Sequence, residues 1–180
     1  AKDNGPTYVG TIANYLMEQI KVDPTVVAII AGTPGGLGFN SEWRKEAGKQ
    51  YIDVGIAEEH AIAMSSGIAK NGGKPVFNVY STFLQRTYDQ LVQDLCVNNN
   101  SAVIMNHQAS VYGMNDVTHL GFFDIPMLTS IPNLVYLAPT NNEELLAMTE
   151  YAVHQHEHPV AIRVPVGEFT STGVADTTDY

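Results

Sequence analysis

Cysteine and positive charge are both scarce in this chain of 180 residues, and each scarcity excludes a class of protein. Cys96 is the only cysteine, which rules out an internal disulfide and a multi-cysteine metal site. Only 9 lysines and arginines stand against 19 aspartates and glutamates, for a net charge of -10. Because such a surface repels phosphate backbones and anionic lipid heads, we expect neither nucleic acid nor membrane as a partner.

Long apolar runs are also missing. The longest, such as residues 26–31, have the length of a strand, whereas a membrane helix needs roughly 20 apolar residues. No charged and then apolar leader opens the chain, so we expect a cytoplasmic protein. The length and the 44% of hydrophobic residues suit one compact domain over residues 1–169, and the Thr-, Ser-, Gly- and Asp-rich residues 170–180 resemble a tail or linker.

Helix-like and strand-like segments alternate along the chain before the tail. Apolar residues recur at helical spacing from residue 8 to residue 20, and the β-branched run 25–30 is typical of a buried strand. Further helices are predicted at 42–48, 58–70, 82–97 and 142–154, and further strands at 51–54, 75–80, 102–106, 134–138 and 160–164. Since helices separate the strands, the sequence predicts a doubly wound α/β domain, with a mainly parallel sheet and helices on both faces.

Ligands of such sheets bind beyond the carboxyl ends of the strands, so the loops that follow strands are the candidates for chemistry. The loop 32–40 is rich in glycine but lacks both the Gly-Lys-Ser/Thr ending and the dinucleotide-binding spacing, which favours a flexible turn. Glu58 stands where a predicted strand gives way to a helix. An acid there either carries chemistry or merely suits the positive helix N-terminus.

Four blocks of sequence stand in an order and at a spacing that chance rarely produces. They are Gly55-Ile-Ala-Glu-Glu-His-Ala61, Tyr80-Ser-Thr-Phe-Leu-Gln-Arg-Thr-Tyr-Asp-Gln90, Thr118-His-x-Gly-x-Phe-Asp124 and Ala138-Pro139. Together they resemble the pyrimidine-binding domain of the transketolase family, most nearly in its 1-deoxy-D-xylulose-5-phosphate synthase branch. The resemblance covers residues 8–168 and favours a functional role for Glu58.

The resemblance implies a site for the aminopyrimidine ring of thiamine diphosphate. The carboxyl matched by Glu58 hydrogen-bonds atom N1′ of that ring and favours the imino tautomer, whose nitrogen takes the proton from thiazolium C2. Phe83 matches the aromatic side chain that packs on the ring, with a simple core role as its alternative, and Tyr80 lies near it. Arg86 resembles an arginine beside the ring, although it is also spaced to pair with Asp89.

His119 matches the family's histidine that faces the hydroxyls or carbonyl of the substrate. Around it the sequence departs from the synthase pattern. Gln108 replaces an arginine that grips phosphate, Asn115 replaces an acid, and Arg163 remains as a candidate anchor while Val166 replaces a second arginine. Because glutamine cannot match the bidentate, charged grip of arginine, we do not expect glyceraldehyde 3-phosphate as the acceptor. A different or unphosphorylated small sugar or keto acid is expected.

The Gly-Asp-Gly segment through which the family binds magnesium and the diphosphate is absent from the sequence. We therefore expect another domain or subunit to hold Mg²⁺ and the diphosphate, a homodimer, and no activity of this chain alone. The opening Ala1-Lys-Asp3 and the tail favour a piece of a longer enzyme over a naturally split subunit. His154, His156 and His158 are interpreted as a solvated helix end, not as a metal site.

Two other functions remain open at this point. The β subunit of a 2-oxoacid dehydrogenase has the same fold and an equivalent glutamate, but the block at 80–86 argues against it. A non-catalytic domain that assembles or regulates a related enzyme is the other, and the presence of Glu58 and His119 argues against that function.

Overall fold

A parallel sheet forms the centre of the computed structural model, which describes residues 6–110, 117–168, 170–177 and 180. All neighbouring strands in it run parallel, as the sequence predicts. The strands are β1 (Val26–Ile30), β2 (Tyr51–Asp53), β3 (Lys74–Tyr80), β4 (Val103–His107), β5 (Val135–Leu137) and β6 (Val160–Arg163). Their order across the sheet is β2-β1-β3-β4-β6-β5.

Helices cover both faces of the sheet. The α-helical segments of the described chain are α1 (Tyr8–Val22), α2 (Ser41–Ala47), α3 (Glu58–Lys70), α4 (Ser81–Leu84), α5 (Tyr88–Gln90), α6 (Asp124–Leu128) and α7 (Asn142–His154). The predicted bounds of α3 and α7 are confirmed. None of the described helices combines the length and the apolar run that crossing a bilayer requires.

The single helix predicted over 82–97 is wrong in detail. The segment is divided into α4, a 3₁₀ turn at Gln85–Thr87, α5 and a π-helical stretch at Leu91–Cys96. At the first break the hydroxyl of Thr87 donates to the carbonyl of Leu84, and such side-chain bonds compete with the regular helical ladder. The one-turn helix α6 was not predicted.

Side chains that alternate along the strands divide the core into two layers. Ala28 and Ile30 of β1 pack with α1, α2 and α7, whereas Ile29 between them packs with α3 and the π-helical stretch. Local signals fix the helix starts: the side chains of Thr7, Asn40 and Asn141 cap α1, α2 and α7 by accepting backbone hydrogen bonds.

The strand order places a topological switch point between β1 and β3. From β1 the chain moves to β2 on one side and then returns to β3 on the other. The loops that leave the carboxyl ends of β1 and β3 therefore diverge, and the crevice between them is where open α/β sheets bind ligands. The chain after β6 folds back, and the amide of Thr170 donates to the Tyr8 hydroxyl over 3.0 Å.

Candidate functional site

Glu58 is the first residue of α3, and its side chain is 2% exposed. The turn before it is held by Asp53 at the end of β2, whose Oδ1 accepts from the amides of Gly32 and Gly55, each over 2.9 Å. Gly55 has a φ of +69°, a conformation that a side chain would strain. The hydrogen-bonded turn therefore places the Glu58 carboxylate near the switch point between β1 and β3.

A carboxylate this deeply buried needs a charged or hydrogen-bonding partner. Arg86 provides it: the guanidinium Nη1 lies 3.2 Å from Glu58 Oε2, and 47% of the Arg86 side chain is exposed. The positive end of α3 also favours the negative charge. The alternative pairing of Arg86 with Asp89 does not occur, because the described residues show an ion pair of Arg86 with Glu58 only.

Three of the predicted site residues form a run of stacked rings. The Tyr80 and Phe83 ring centroids are 5.8 Å apart, and those of Phe83 and His119 are 5.3 Å apart in an edge-to-face arrangement. Thr82 Oγ1 donates to the carbonyl of Thr118 over 3.2 Å, which fastens the loop of His119 to α4. Burial raises the pKa of Tyr80, so its hydroxyl stays protonated near neutral pH.

The cation of the Glu58–Arg86 ion pair and the aromatic ring of Phe83 lie on one segment of the chain. Phe83 lies in α4, and Arg86 follows three residues later in the 3₁₀ turn, so both side chains leave neighbouring turns. The ion pair with Glu58 thus brings a buried acid to the segment that carries an aromatic ring, and these are the two groups that a flat heteroaromatic ring with a ring nitrogen would use.

Arg163 lies in a buried polar cluster instead of standing alone. Its Nε donates to Asp124 Oδ2 over 2.8 Å, and the same oxygen accepts from Asn106 Nδ2 over 3.1 Å and from the Tyr136 hydroxyl. Burial and the bond to Asp124 raise the pKa of Tyr136. The cluster ties α6, which begins five residues after His119, to the ends of β4, β5 and β6.

The glycine-rich loop after β1 lines a cavity of about 460 Å³. A Cβ at Gly36 would lie 1.9 Å from the Tyr80 hydroxyl, so only glycine leaves room for that side chain. Gln108 and Val166 line the same cavity. Asn115 lies outside the described residues, and its predicted substrate contact stays a prediction.

His107, at the end of β4, is a cavity-lining residue that the sequence analysis did not identify as a candidate. It borders the same cavity with none of its surface exposed to water, and burial lowers its pKa to about 3. Its Nε2 lies 3.0 Å from Asn78 Oδ1. The only signal was its position directly before Gln108, in the loop that follows a strand.

Cys96 is a free and buried thiol. Burial raises the pKa of Cys96 to about 12, which leaves the thiol unreactive near neutral pH. Among the described residues, no group of three or more His, Cys, Asp or Glu side chains is placed to hold a metal ion. The site therefore consists of the switch-point carboxylate, the ring run and the adjoining cavity.

The fold is a doubly wound α/β domain with its candidate site at the switch point, and comparison with known proteins gives its family. The sequence profile of the transketolase pyrimidine-binding domain matches residues 5–171. The chain therefore belongs to the transketolase family, as a pyrimidine-binding domain.

Curated relatives place the match among synthases. The chain is 42% identical over 162 residues to the 1-deoxy-D-xylulose-5-phosphate synthase of Halalkalibacterium halodurans, covering 90% of this chain and 26% of the relative. The Clostridium tetani synthase is also 42% identical, over 93% of this chain and 27% of its own length. The chain thus spans about a quarter of the relatives it matches. These matches favour the transketolase interpretation over the β subunit of a 2-oxoacid dehydrogenase.

Solved structures share the fold. A split-gene transketolase in an inactive β4 tetramer superposes with a TM-score of 0.78 over 96% of this chain and 56% of its own, at 19% identity. Transketolase from Leishmania mexicana gives a TM-score of 0.76 over 87% of this chain and 25% of its own, at 16% identity. At these identities the likeness supports the fold alone.

Proposed function

We propose that this domain activates thiamine diphosphate for two-carbon ketol or acyl transfer in a larger enzyme of the transketolase or 1-deoxy-D-xylulose-5-phosphate synthase type. The observation that carries the proposal is the buried carboxylate of Glu58, paired with Arg86, which lies three residues after the aromatic ring of Phe83. The resemblance of this segment to the family's cofactor-binding blocks and the family membership of the chain support it.

The described residues fit an aminopyrimidine ring. Bound thiamine diphosphate would supply a carbon nucleophile able to accept and pass on a two-carbon unit. Glu58 would hold atom N1′ of the ring through a hydrogen bond to its buried carboxyl. Phe83 would pack on the ring with Tyr80 beside it, and the ion pair with Arg86 would keep the Glu58 carboxylate oriented.

His119 faces the substrate side of the proposed site. Its ring stacks edge-to-face on Phe83, and an imidazole there can donate or accept a proton near neutral pH. Arg163 contributes through Asp124, which anchors the helix that follows the His119 loop. The substrates in the proposal are small sugars or keto acids.

The diphosphate and Mg²⁺ belong to another domain or subunit in this proposal, so the chain alone is inactive. Exposed apolar side chains support such a partner, because Ile56 directly precedes the Glu58 turn and Val117, Phe123 and Ile125 flank His119. We propose that this surface covers the cofactor with the second domain, within a homodimer in the cytoplasm.

Calorimetric titration with thiamine diphosphate and magnesium tests the proposal, with the chain alone and with the diphosphate-binding domain added. The proposal expects tight binding only in the second sample, and its loss in Glu58→Gln. Glu59→Gln is the matched control, because the neighbouring glutamate is less buried and should bind normally. Binding that survives Glu58→Gln, or no binding in either sample, would shift the function to assembly or regulation.

A further inference from the structure

The loop that carries His119 is fastened to its neighbours on both sides of that residue. Before it, the Thr82 hydroxyl of α4 donates to the carbonyl of Thr118 over 3.2 Å. After it, Gly121 lies so close to the backbone of Gln108 that a Cβ would come within 1.9 Å of the Gln108 carbonyl oxygen. The backbone around His119 is therefore held by α4 and by the loop that follows β4.

The ring of His119 contacts a hydroxyl and an aromatic ring. Its Nδ1 lies 2.6 Å from Oγ1 of Thr118, a hydrogen bond between adjacent residues. Adjacent side chains point to opposite sides of an extended strand, so this bond depends on the turn at 117–118. The ring also meets Phe83 edge-to-face, with the centroids 5.3 Å apart. The two contacts orient the imidazole, while His119 remains exposed.

The hydrogen bond decides which nitrogen of His119 can serve a substrate. Thr118 engages Nδ1, so a proton that passes between the imidazole and a substrate passes through Nε2. A hydroxyl suits this arrangement because it both donates and accepts. It accepts from Nδ1–H while Nε2 takes up or releases a proton, and it donates to Nδ1 when the neutral ring offers Nε2–H to a carbonyl. Thr118 can therefore hold the ring in either role.

We propose that Thr118 is a positioning residue of the proposed reaction, holding Nδ1 of His119 so that Nε2 serves the substrate. The inference rests on the proposed function, in which His119 faces the substrate, and it adds a residue that acts only through that histidine. Thr118 is exposed, so substituting it leaves the core intact. Valine keeps the shape of threonine and removes the hydroxyl, whereas serine keeps the hydroxyl and removes a methyl group.

A double-mutant cycle in the complete enzyme tests the inference, with pyruvate or hydroxypyruvate as donor and D-glyceraldehyde, free or 3-phosphorylated, as acceptor. Thr118→Val should lower kcat roughly two- to tenfold, as the loss of one orienting hydrogen bond does, and Thr118→Ser should restore most of it. His119→Ala should lower kcat by on the order of a hundredfold or more, because it removes an acid–base group. In the His119→Ala background, Thr118→Val should have no further effect.

A second readout needs no turnover. With ¹⁵N-labelled histidine, the Nδ1 resonance of His119, assigned by its loss in His119→Ala, should move in Thr118→Val and return close to its wild-type position in Thr118→Ser. Thr129→Val is the matched control for both experiments, because the Thr129 hydroxyl bonds to the carbonyl of Ile125. It should change neither kcat nor the resonance.

The outcomes separate the inference from the function on which it rests. An unmoved resonance in Thr118→Val would show that the hydroxyl does not hold Nδ1, and an equal loss of kcat with and without His119 would make the role of Thr118 structural. Either result overturns the inference alone. Full activity of His119→Ala, or no turnover of the wild type with any substrate pair, would overturn the proposed function, and the role of Thr118 in the reaction would fall with it.

Discussion

The guanidinium of Arg86 lies 3.2 Å from the carboxylate of Glu58, and the two side chains differ sharply in burial. Glu58 is almost wholly enclosed, whereas Arg86 reaches it from the surface across the edge of the 3₁₀ turn. The pair therefore links a half-exposed guanidinium to a buried carboxylate, and either partner can be substituted separately.

Substituting Arg86 should show how much the ion pair with Glu58 contributes to the stability of the domain. Arg86→Ala leaves a buried carboxylate without its cation, and we expect a loss of about 1–3 kcal/mol of unfolding free energy, which urea denaturation measures. The same substitution in a Glu58→Gln background should cost much less, because no buried charge remains. Asp89→Ala, on the same segment without an ion pair to Arg86, is the control. Equal costs in both backgrounds would contradict the coupling.

The contact between the glycine loop and Tyr80 predicts a steric effect. Gly36→Ala places a methyl group on the Tyr80 hydroxyl, and we expect a loss of about 1–3 kcal/mol by the same denaturation assay. Gly35→Ala should be nearly neutral, because a Cβ there meets nothing within 4 Å. Adding Tyr80→Phe to Gly36→Ala should recover most of the lost unfolding free energy, because it removes the hydroxyl that the methyl group meets. If stability does not recover, the strain lies elsewhere.

The buried His107 predicts acid sensitivity. Burial lowers its pKa from the usual value of 6.5 to about 3, so the folded protein keeps the imidazole neutral. Its contribution to stability is complete above pH 6.5 and falls as the pH drops toward 3, with a slope of up to about 1.4 kcal/mol per pH unit. Denaturation at several pH values should therefore show a shallower slope in His107→Gln. An unchanged slope would mean that His107 is protonated in the fold.

The chain after β6 predicts a second pH effect, confined to the surface. The carboxylate of Glu143 accepts from the Ser171 hydroxyl and from the amides of Thr172 and Gly173. The Ser171 hydroxyl lowers the pKa of Glu143 most, and the value is about 2, so the contact is complete above pH 4.5 and is lost as the pH falls through 2. The Thr172 and Gly173 amide resonances should shift over that range in NMR spectra. In Glu143→Gln they should not.

Regular local patterns made much of the fold predictable. The bounds of α3 and α7 follow from acidic first turns and apolar spacing, and α7 also has the Asn141 cap. The helix predicted over 82–97 failed because no propensity reports that Thr87 would bond back to Leu84. Helix α6 was missed because one turn is too short to show a period.

The candidate site, like the fold, contains residues that the sequence could identify and residues that it could not. Glu58, Phe83 and His119 could be named because their blocks are recognisable in the linear sequence. His107 could not be named, because its surroundings depend on a contact with Asn78, which lies 29 residues earlier on the adjacent strand. Parallel pairing of Tyr80 with His107 makes Asn78 a diagonal neighbour on one face of the sheet. Likewise, nothing in the sequence shows that Asp124 would hold Arg163.

The wholly parallel strand pairing also bears on how the domain reaches this state. Among the described strands no two neighbours are joined by a hairpin, so each pairing closes a long loop before its contacts form, a topology that slows folding. The strand β6 adds to β4 across more than 50 intervening residues. Because Arg163 ends β6, a nascent chain must emerge from the ribosome through β6 before the carboxylate of Asp124 can meet Arg163.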